Sequence, residues 1–222
     1  MSDSNDSHAA AKIEAARRSL AFVEAGMVVG LGSGSTAAHM VRLLGERIAA
    51  GLAVRAIPSS SETRRLAEAA GIPLVSFADV DELDVTIDGA DEVDPAGRMI
   101  KGRGAAMLYE KILAAHSRKL VIVIDASKQV ATLGAAPVPV EVIPLAAPLI
   151  RRDLEKLGAR VVLRGSARGV PFITDEGNQI LDCHFGVIAD PEGLAGQIDR
   201  LVGAVEHGLF VGFAPELVIG RG

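Results

Sequence analysis

The stretch "GMVVGLGSGSTAAHMVRLLGERIAA", residues 26–50, decides how the chain is read. Met27–Leu31 make a short apolar strand, a glycine-rich turn follows, and from Ser35 or Thr36 the apolar spacing becomes helical. Strand, glycine loop and helix in that order open a βαβ unit. Backbone N–H groups at the start of such a helix, with the macrodipole behind them, favour an anion. Ser33, Ser35 and Thr36 add hydroxyl donors suited to phosphate oxygens; the plainer alternative is a tight turn capped by Ser35 or Thr36. Gly32, Gly34 and Ala37 also fit G-x-G-x-x-A, a weak dinucleotide signal. The next strand, however, ends in "AIPSSS" (56–61), without the acidic residue that a ribose hydroxyl requires, and the Walker lysine is missing. A small phosphorylated ligand fits better than a nucleotide.

Working outward, a helical pattern runs from about Ala9 to Glu24. "AVRAI" (53–57), "PLVSF" (73–77), "LDVTID" (83–88) and "KLVIVID" (119–125) read as strands, the last being the most apolar. "SSSETRRLAEAAG" (59–71) and "GAAMLYEKILAAH" (104–116) read as helices between them. This alternation predicts a mainly parallel sheet. After Leu133 the texture changes. "GAAPVPVEVIPLAAP" (134–148) carries four prolines. A helix (Leu149–Leu157), strands "ARVVL" and "QILDCHF", and a helix over "PEGLAGQIDRLVGAV" (191–205) predict a small α+β domain with an antiparallel sheet. The tail "PELVIG" (215–220) is a short strand able to rejoin the first sheet.

Composition limits the function classes. The 222 residues, 49% hydrophobic with 24 glycines and 3% aromatics, suit a compact α/β protein built on Val, Ile, Leu and Ala. One cysteine, Cys183, excludes an internal disulfide and fits a reducing compartment. The polar opening lacks a signal-peptide pattern, and no run approaches a membrane span. A net charge of −5 argues against nucleic acid as partner. A cytoplasmic protein acting on a small molecule is expected.

"TIDGADEVD" (86–94) crowds Asp88, Asp91, Glu92 and Asp94 at the end of a strand. Such carboxylates face water, hold a cation or move protons. Asp88 and Asp91 belong on the carboxyl rim of the sheet with the glycine loop, where ligands collect. Glu92 and Asp94 read as a solvated loop closed by the turn Asp94–Gly97. Magnesium is conceivable, yet neither a second acidic cluster nor a histidine pair completes a cage. In "KGRGAAMLYEK" (101–111), Lys101 could neutralise an oxyanion, whereas Glu110 taken alone reads as a solvated helical glutamate. "DASK" (125–128) adds Lys128 to the rim. The five histidines lack metal spacing, and Cys183 reads as packing.

"GLGSGSTA", "IDGADEVD", "KGRGAAMLYEKI", "DASK" and "PVEVIP", in this order, resemble ribose-5-phosphate isomerase type A, and "GNQILDCHF" and "HGLF" extend the similarity over nearly the whole chain. The resemblance implies a Rossmann-like catalytic domain from residues 1–133 and 208–222 and a smaller α+β (ferredoxin-like) domain from residues 134–207. It implies a homodimer or homotetramer, and cofactor-free, metal-free interconversion of D-ribose 5-phosphate and D-ribulose 5-phosphate. Carried over by position, Glu110 is the proton acceptor, with Asp88, Asp91 and Lys101 as further catalytic groups. Ser33, Gly34, Ser35 and Thr36 bind substrate, as do Asp88, Gly89, Ala90 and Asp91. Lys101, Gly102, Arg103, Gly104 and Lys128 complete the set, with Lys12 helping to hold phosphate. Arg103 stands where many members have glycine, Tyr109 where a polar residue is common, and Ser33 where several have threonine.

Rivals are a sugar-phosphate sensor without turnover, an aminosugar-phosphate deaminase or acyl-CoA transferase on a related fold, and an NAD-dependent oxidoreductase. Joint presence of Glu110, Asp88 and Lys101 without a DNA-binding segment weighs against the sensor. No placed histidine supports deamination, no second glutamate motif supports CoA transfer, and "AIPSSS" weakens the last.

Overall fold

Alternating strands and helices fill the first half of the computed structural model, which describes residues 3–165 and 169–220. Residues 1, 2, 166–168, 221 and 222, over which the expected domain ranges run, lie outside the described residues. Helix α1 (Asp3–Ser19) is followed by β1 (Val28–Leu31), α2 (Gly34–Ala49), β2 (Arg55–Pro58), α3 (Ser61–Ala69) and β3 (Val85–Asp88). Then come β4 (Glu92–Val93), β5 (Met99–Ile100), α4 (Met107–Ala115), β6 (Leu120–Asp125) and β7 (Val138–Val142). The chain continues through α5 (Ala147–Lys156), β8 (Arg160–Leu163), β9 (Gln179–His184), α6 (Pro191–Ile198), β10 (Ala204–His207), β11 (Leu209–Phe210) and β12 (Glu216–Gly220).

Two units divide these elements: Met1–Ala90 with Tyr109–Lys128 and Phe213–Gly222, and Asp91–Leu108 with Gln129–Gly212. The first holds a five-stranded parallel sheet in the order β12-β6-β3-β1-β2. Every residue of β1, β3 and β6 is buried, which is why β1 and most of β6 read as unbroken apolar runs, while β3 keeps Thr86 and Asp88 as buried polar positions. Val29, Leu31, Ile87, Val121 and Val123 pack with Met40, Val41 and Leu44 of α2 and with Ala15 and Ala16 of α1. Strand order reverses at β1, with β2 on one side and β3 on the other. Open parallel sheets bind ligands at the carboxyl ends of strands at such a switch.

The second unit holds an antiparallel sheet, β10-β7-β9-β8, whose strands with α5 and α6 give the βαββαβ order of a ferredoxin-like fold. Val138, Val140, Val142, Ile150, Leu154, Leu181 and Ile198 form its core. A smaller antiparallel sheet, β11-β5-β4, belongs to the same unit.

Several elements depart from the sequence reading. Helix α1 starts at Asp3 rather than near Ala9, because the polar opening lacks the apolar spacing that marks a helix. "PLVSF" is no strand. Leu74 makes one bridge to Ala56, after which the Ser76 N–H and hydroxyl both donate to Asp79 Oδ2 and turn the chain. The helix expected over 191–205 stops at Ile198, and after a turn ending at Gly203 (φ +107°) its last two residues, Ala204 and Val205, open β10. Strands β4, β5 and β11 are two residues each, too short to carry a period.

One buried carboxyl in this second unit has a pH consequence. Glu141 of β7 is fully buried; Thr174 Oγ1 and Asn178 Nδ2 donate to its Oε1 at 2.8 and 3.0 Å. Burial pushes its pKa above the ordinary 4.5, opposed by these hydrogen bonds and reinforced by the charges of Glu176 and Glu206. The folded state therefore keeps this proton to higher pH than the unfolded state, and stability from the group falls as pH rises above 4.5. Glu141→Gln should raise the thermal midpoint at pH 7, with the advantage shrinking towards pH 4, in a calorimetric series. Equal midpoints at both pH values would show that burial does not disfavour the charge.

Candidate active site

Three residues meet at the switch between β1 and β3. Beyond β1, Gly32 N–H donates to Ile87 O at 2.9 Å, and Ser33 N–H donates to Asp88 Oδ1 at 3.1 Å. Gly89 N–H reaches the same oxygen at 2.7 Å. A Cβ on Gly32 would lie 2.1 Å from that oxygen, so only glycine lets the loop lie over Asp88. Thr63 Oγ1, unmarked in the sequence reading, donates to Gly32 O at 3.0 Å and ties the loop to α3.

Ser33 occupies the N-cap of α2, but its side chain makes no capping bond. Its hydroxyl instead donates to Glu110 Oε1 at 2.5 Å. The N–H groups at the head of α2 are thus left without that serine as acceptor, which suits an incoming anion. Ser35 and Thr36 lie inside the first turn rather than at the cap, and Gly34 takes φ +83°. Lys12 Nζ donates to Ser35 Oγ at 3.2 Å. Burial, then the charges of Arg42 and Lys12, hold His39 below its ordinary pKa of 6.5, marking an electropositive flank on α2. Glu110 itself is buried on α4, at 4% exposure, not solvated as its helix position alone suggested.

The crowded carboxylates are resolved by separate donors. Glu92 accepts from the Gly134 and Ala136 N–H groups, and Asp94 accepts from the Ala96 and Arg98 N–H groups and the Arg98 guanidinium. Both are buried, correcting the reading of this stretch as a solvated loop: these carboxylates shape the β4–β5 hairpin and its surroundings. Asp91 Oδ2 accepts from Arg103 N–H at 3.0 Å.

Lys101 is buried to 3% exposure. Its N–H donates to Gly208 O at 2.9 Å, and its ammonium sits 5.2 Å from the Phe210 ring centroid, a contact the sequence did not mark. Gly102 is buried, Arg103 and Gly104 are exposed, and Gly89 and Ala90 are half-buried. Half-buried Lys128 ends a 3-10 turn beyond β6. That turn is anchored by the Ser127 N–H and hydroxyl on Asp125 Oδ1. The glycine loop, Asp88, Glu110, Lys12 and Lys128 belong to the first unit; Asp91 and Lys101–Gly104 belong to the second.

Among the described residues, Asp199, Glu206 and His207 place potential ligand atoms within 4.8 Å of one another. His207 Nδ1 accepts from Leu209 N–H at 3.1 Å, which leaves Nε2 as the N–H facing Asp199 at 3.1 Å. That histidine is committed to a hydrogen-bond network. Burial, then Asp182, pushes the Cys183 thiol up to about 12, in keeping with packing rather than nucleophilic chemistry.

Residues 55–222 match the family model described as ribose 5-phosphate isomerase A (phosphoriboisomerase A). The chain is 51% identical over 208 residues to a ribose-5-phosphate isomerase A from Roseiflexus castenholzii, covering 92% of this chain and 89% of that protein. It is 52% identical over 210 residues to its counterpart from Gloeobacter violaceus, covering 94% and 91%. Among solved structures, a D-ribose-5-phosphate isomerase in complex with phospho-erythronic acid superposes with a TM-score of 0.91 at 40% identity, covering 95% of this chain and 93% of that one. Ribose 5-phosphate isomerase A from Methanocaldococcus jannaschii gives 0.90 at 39%, covering 95% and 94%.

The close approach at Gly32 is directly testable. Gly32→Ala should cost about 1–3 kcal/mol in urea unfolding, the usual penalty for overpacking. A variant as stable as the parent would show slack between the loop and Asp88.

Proposed function

The chain belongs to the ribose 5-phosphate isomerase A family, and we propose from this premise that it interconverts D-ribose 5-phosphate and D-ribulose 5-phosphate through a cis-enediolate, with Glu110 as base. The Ser33–Glu110 hydrogen bond carries the reading, because it joins a helix N-terminus suited to phosphate with a buried carboxylate. Phosphate rests on the N–H groups and hydroxyls of Ser33–Thr36, with Lys12 and Lys128 as counter-charges. Gly89, Ala90, Gly102, Arg103 and Gly104 contribute further binding backbone.

Asp88, whose Oδ1 accepts two backbone N–H groups, delivers a proton to the ring oxygen while Asp91 takes the proton of the anomeric hydroxyl, and the furanose opens to the aldehyde. Glu110 then takes the C2 proton and returns it to C1, while the hydroxyl proton passes from O2 to O1. Lys101 stabilises the negative charge on the enediolate oxygens, the part a Lewis acid would otherwise play. No cofactor or metal enters this scheme.

We place the enzyme in the cytoplasm, in the non-oxidative branch of the pentose phosphate pathway, with neither nucleic acid nor membrane as partner. Among the described residues no helix is long and apolar enough to cross a membrane. We further propose that it forms a homodimer or homotetramer.

Turnover of ribose 5-phosphate in EDTA should match turnover without it. Glu110→Gln should lower kcat by about 10²–10⁴-fold with the thermal midpoint retained. Loss of turnover in chelator would overturn the metal-free scheme, and an active Glu110→Gln would remove Glu110 as base. Lys101→Met should cost roughly 10²–10³-fold in kcat if it acts as an oxyanion donor of ordinary strength. A rate near the parent's would take Lys101 out of the chemistry.

A further inference from the structure

The loop Lys101–Gly104 has an anchor that the scheme above leaves unused. Arg164, the residue after β8, donates from Nη1 to Gly102 O at 3.0 Å and to Arg103 O at 3.2 Å. Its other edge binds Asp182 of β9 as a fork, Nε to Oδ2 at 3.0 Å and Nη2 to Oδ1 at 2.5 Å. The pair is mostly buried, with side-chain exposures of 16% and 18%. Arg164 N–H also donates to Ile180 O at 2.8 Å, so the guanidinium projects from backbone already fixed in the sheet.

The loop needs such an anchor. Gly102 takes φ +100°, and a Cβ there would lie 2.8 Å from Pro139 Cγ and 2.9 Å from Met107 Cβ. Ala105 takes φ +64°, a left-handed conformation that is unfavourable outside glycine. Backbone of this kind persists only where its surroundings over-determine it. Asp91 accepts Arg103 N–H, and Arg164 takes the successive carbonyls of Gly102 and Arg103.

We propose that Arg164, held by Asp182, is a positioning residue for the isomerisation, because it fixes the Gly102 and Arg103 carbonyls and thereby the backbone that presents Lys101. The proposal rests on the reading of Lys101 as the cation beside the enediolate. Asp182 orients the guanidinium, and Arg164 sets the loop without touching substrate. Lysine cannot replace it, since a point donor cannot serve the carboxylate fork and both carbonyls together.

The test is steady-state kinetics on ribose 5-phosphate for Arg164→Ala, Arg164→Lys, Lys101→Met and the double variant Arg164→Ala/Lys101→Met, each with its thermal midpoint. Arg164→Ala should lower kcat on the order of 10²-fold, the scale of a small misplacement of a catalytic group, with a smaller change in KM. Added guanidinium ion should restore part of the lost kcat. The double variant should be no slower than Lys101→Met, because the two changes act through one group. If Arg164→Ala does not fold, Arg164→Lys keeps the charge facing Asp182 and should show the same fall in kcat. Unchanged kcat in a folded Arg164 variant, beside an impaired Lys101→Met, overturns the clamp. So does a fall in kcat that adds fully to that of Lys101→Met. A Lys101→Met variant at the parent's rate overturns the reading of Lys101 itself, and the proposal with it.

Discussion

Asp88 Oδ1 accepts two backbone N–H groups, from Ser33 and Gly89, and the first unit's site is arranged around that oxygen. The carboxylate sits at the end of β3, where the sheet order reverses, and the glycine loop beyond β1 has to lie over it. Gly32 has no side chain because Asp88 occupies the space. Ser33 is turned so that its N–H faces Asp88 and its hydroxyl faces Glu110. One local constraint therefore sets the loop's path, a serine's direction and the environment of the proposed base.

Four acidic residues within nine positions would repel one another if they shared a space. Each has backbone donors of its own. Asp88 is held by the glycine loop, Asp91 by the Arg103 N–H, Glu92 by the Gly134 and Ala136 N–H groups, and Asp94 by Arg98 and the hairpin backbone. Asp88, Asp91 and Glu92 take donors from distant segments, whereas Asp94 is held by its own turn. Crowding of charge along the sequence is thus met by donors distributed one carboxylate at a time.

Backbone donors recur because they are cheap to hold still. A peptide N–H fixed by the sheet or a tight turn loses no side-chain entropy when it binds a carboxylate. The second unit uses the same device in reverse: Arg164 and its carboxylate partner hold peptide carbonyls of the Lys101–Gly104 loop. In both units the groups assigned to chemistry are supported by backbone geometry, a rigid form of support for a fixed arrangement.

The sequence by itself determined the alternation of strands and helices, the phosphate-suited glycine loop, the change to an α+β unit after Leu133, and the family through motifs in fixed order. These are local or linear properties, set by hydrophobic period and residue identity. Tertiary structure alone decided that Glu110 and Lys101 are buried, that Ser33 forgoes its cap, and that Glu92 and Asp94 are structural carboxylates. It also turned the end of the expected 191–205 helix into β10 and withheld a strand from "PLVSF". The reason is physical. Periodicity records which face of an element is apolar, whereas the burial and partner of a polar side chain depend on donors that long-range packing delivers. Thr63, Phe210 and Arg164 became visible only when the sheets were formed, because each acts on a residue far from it in sequence.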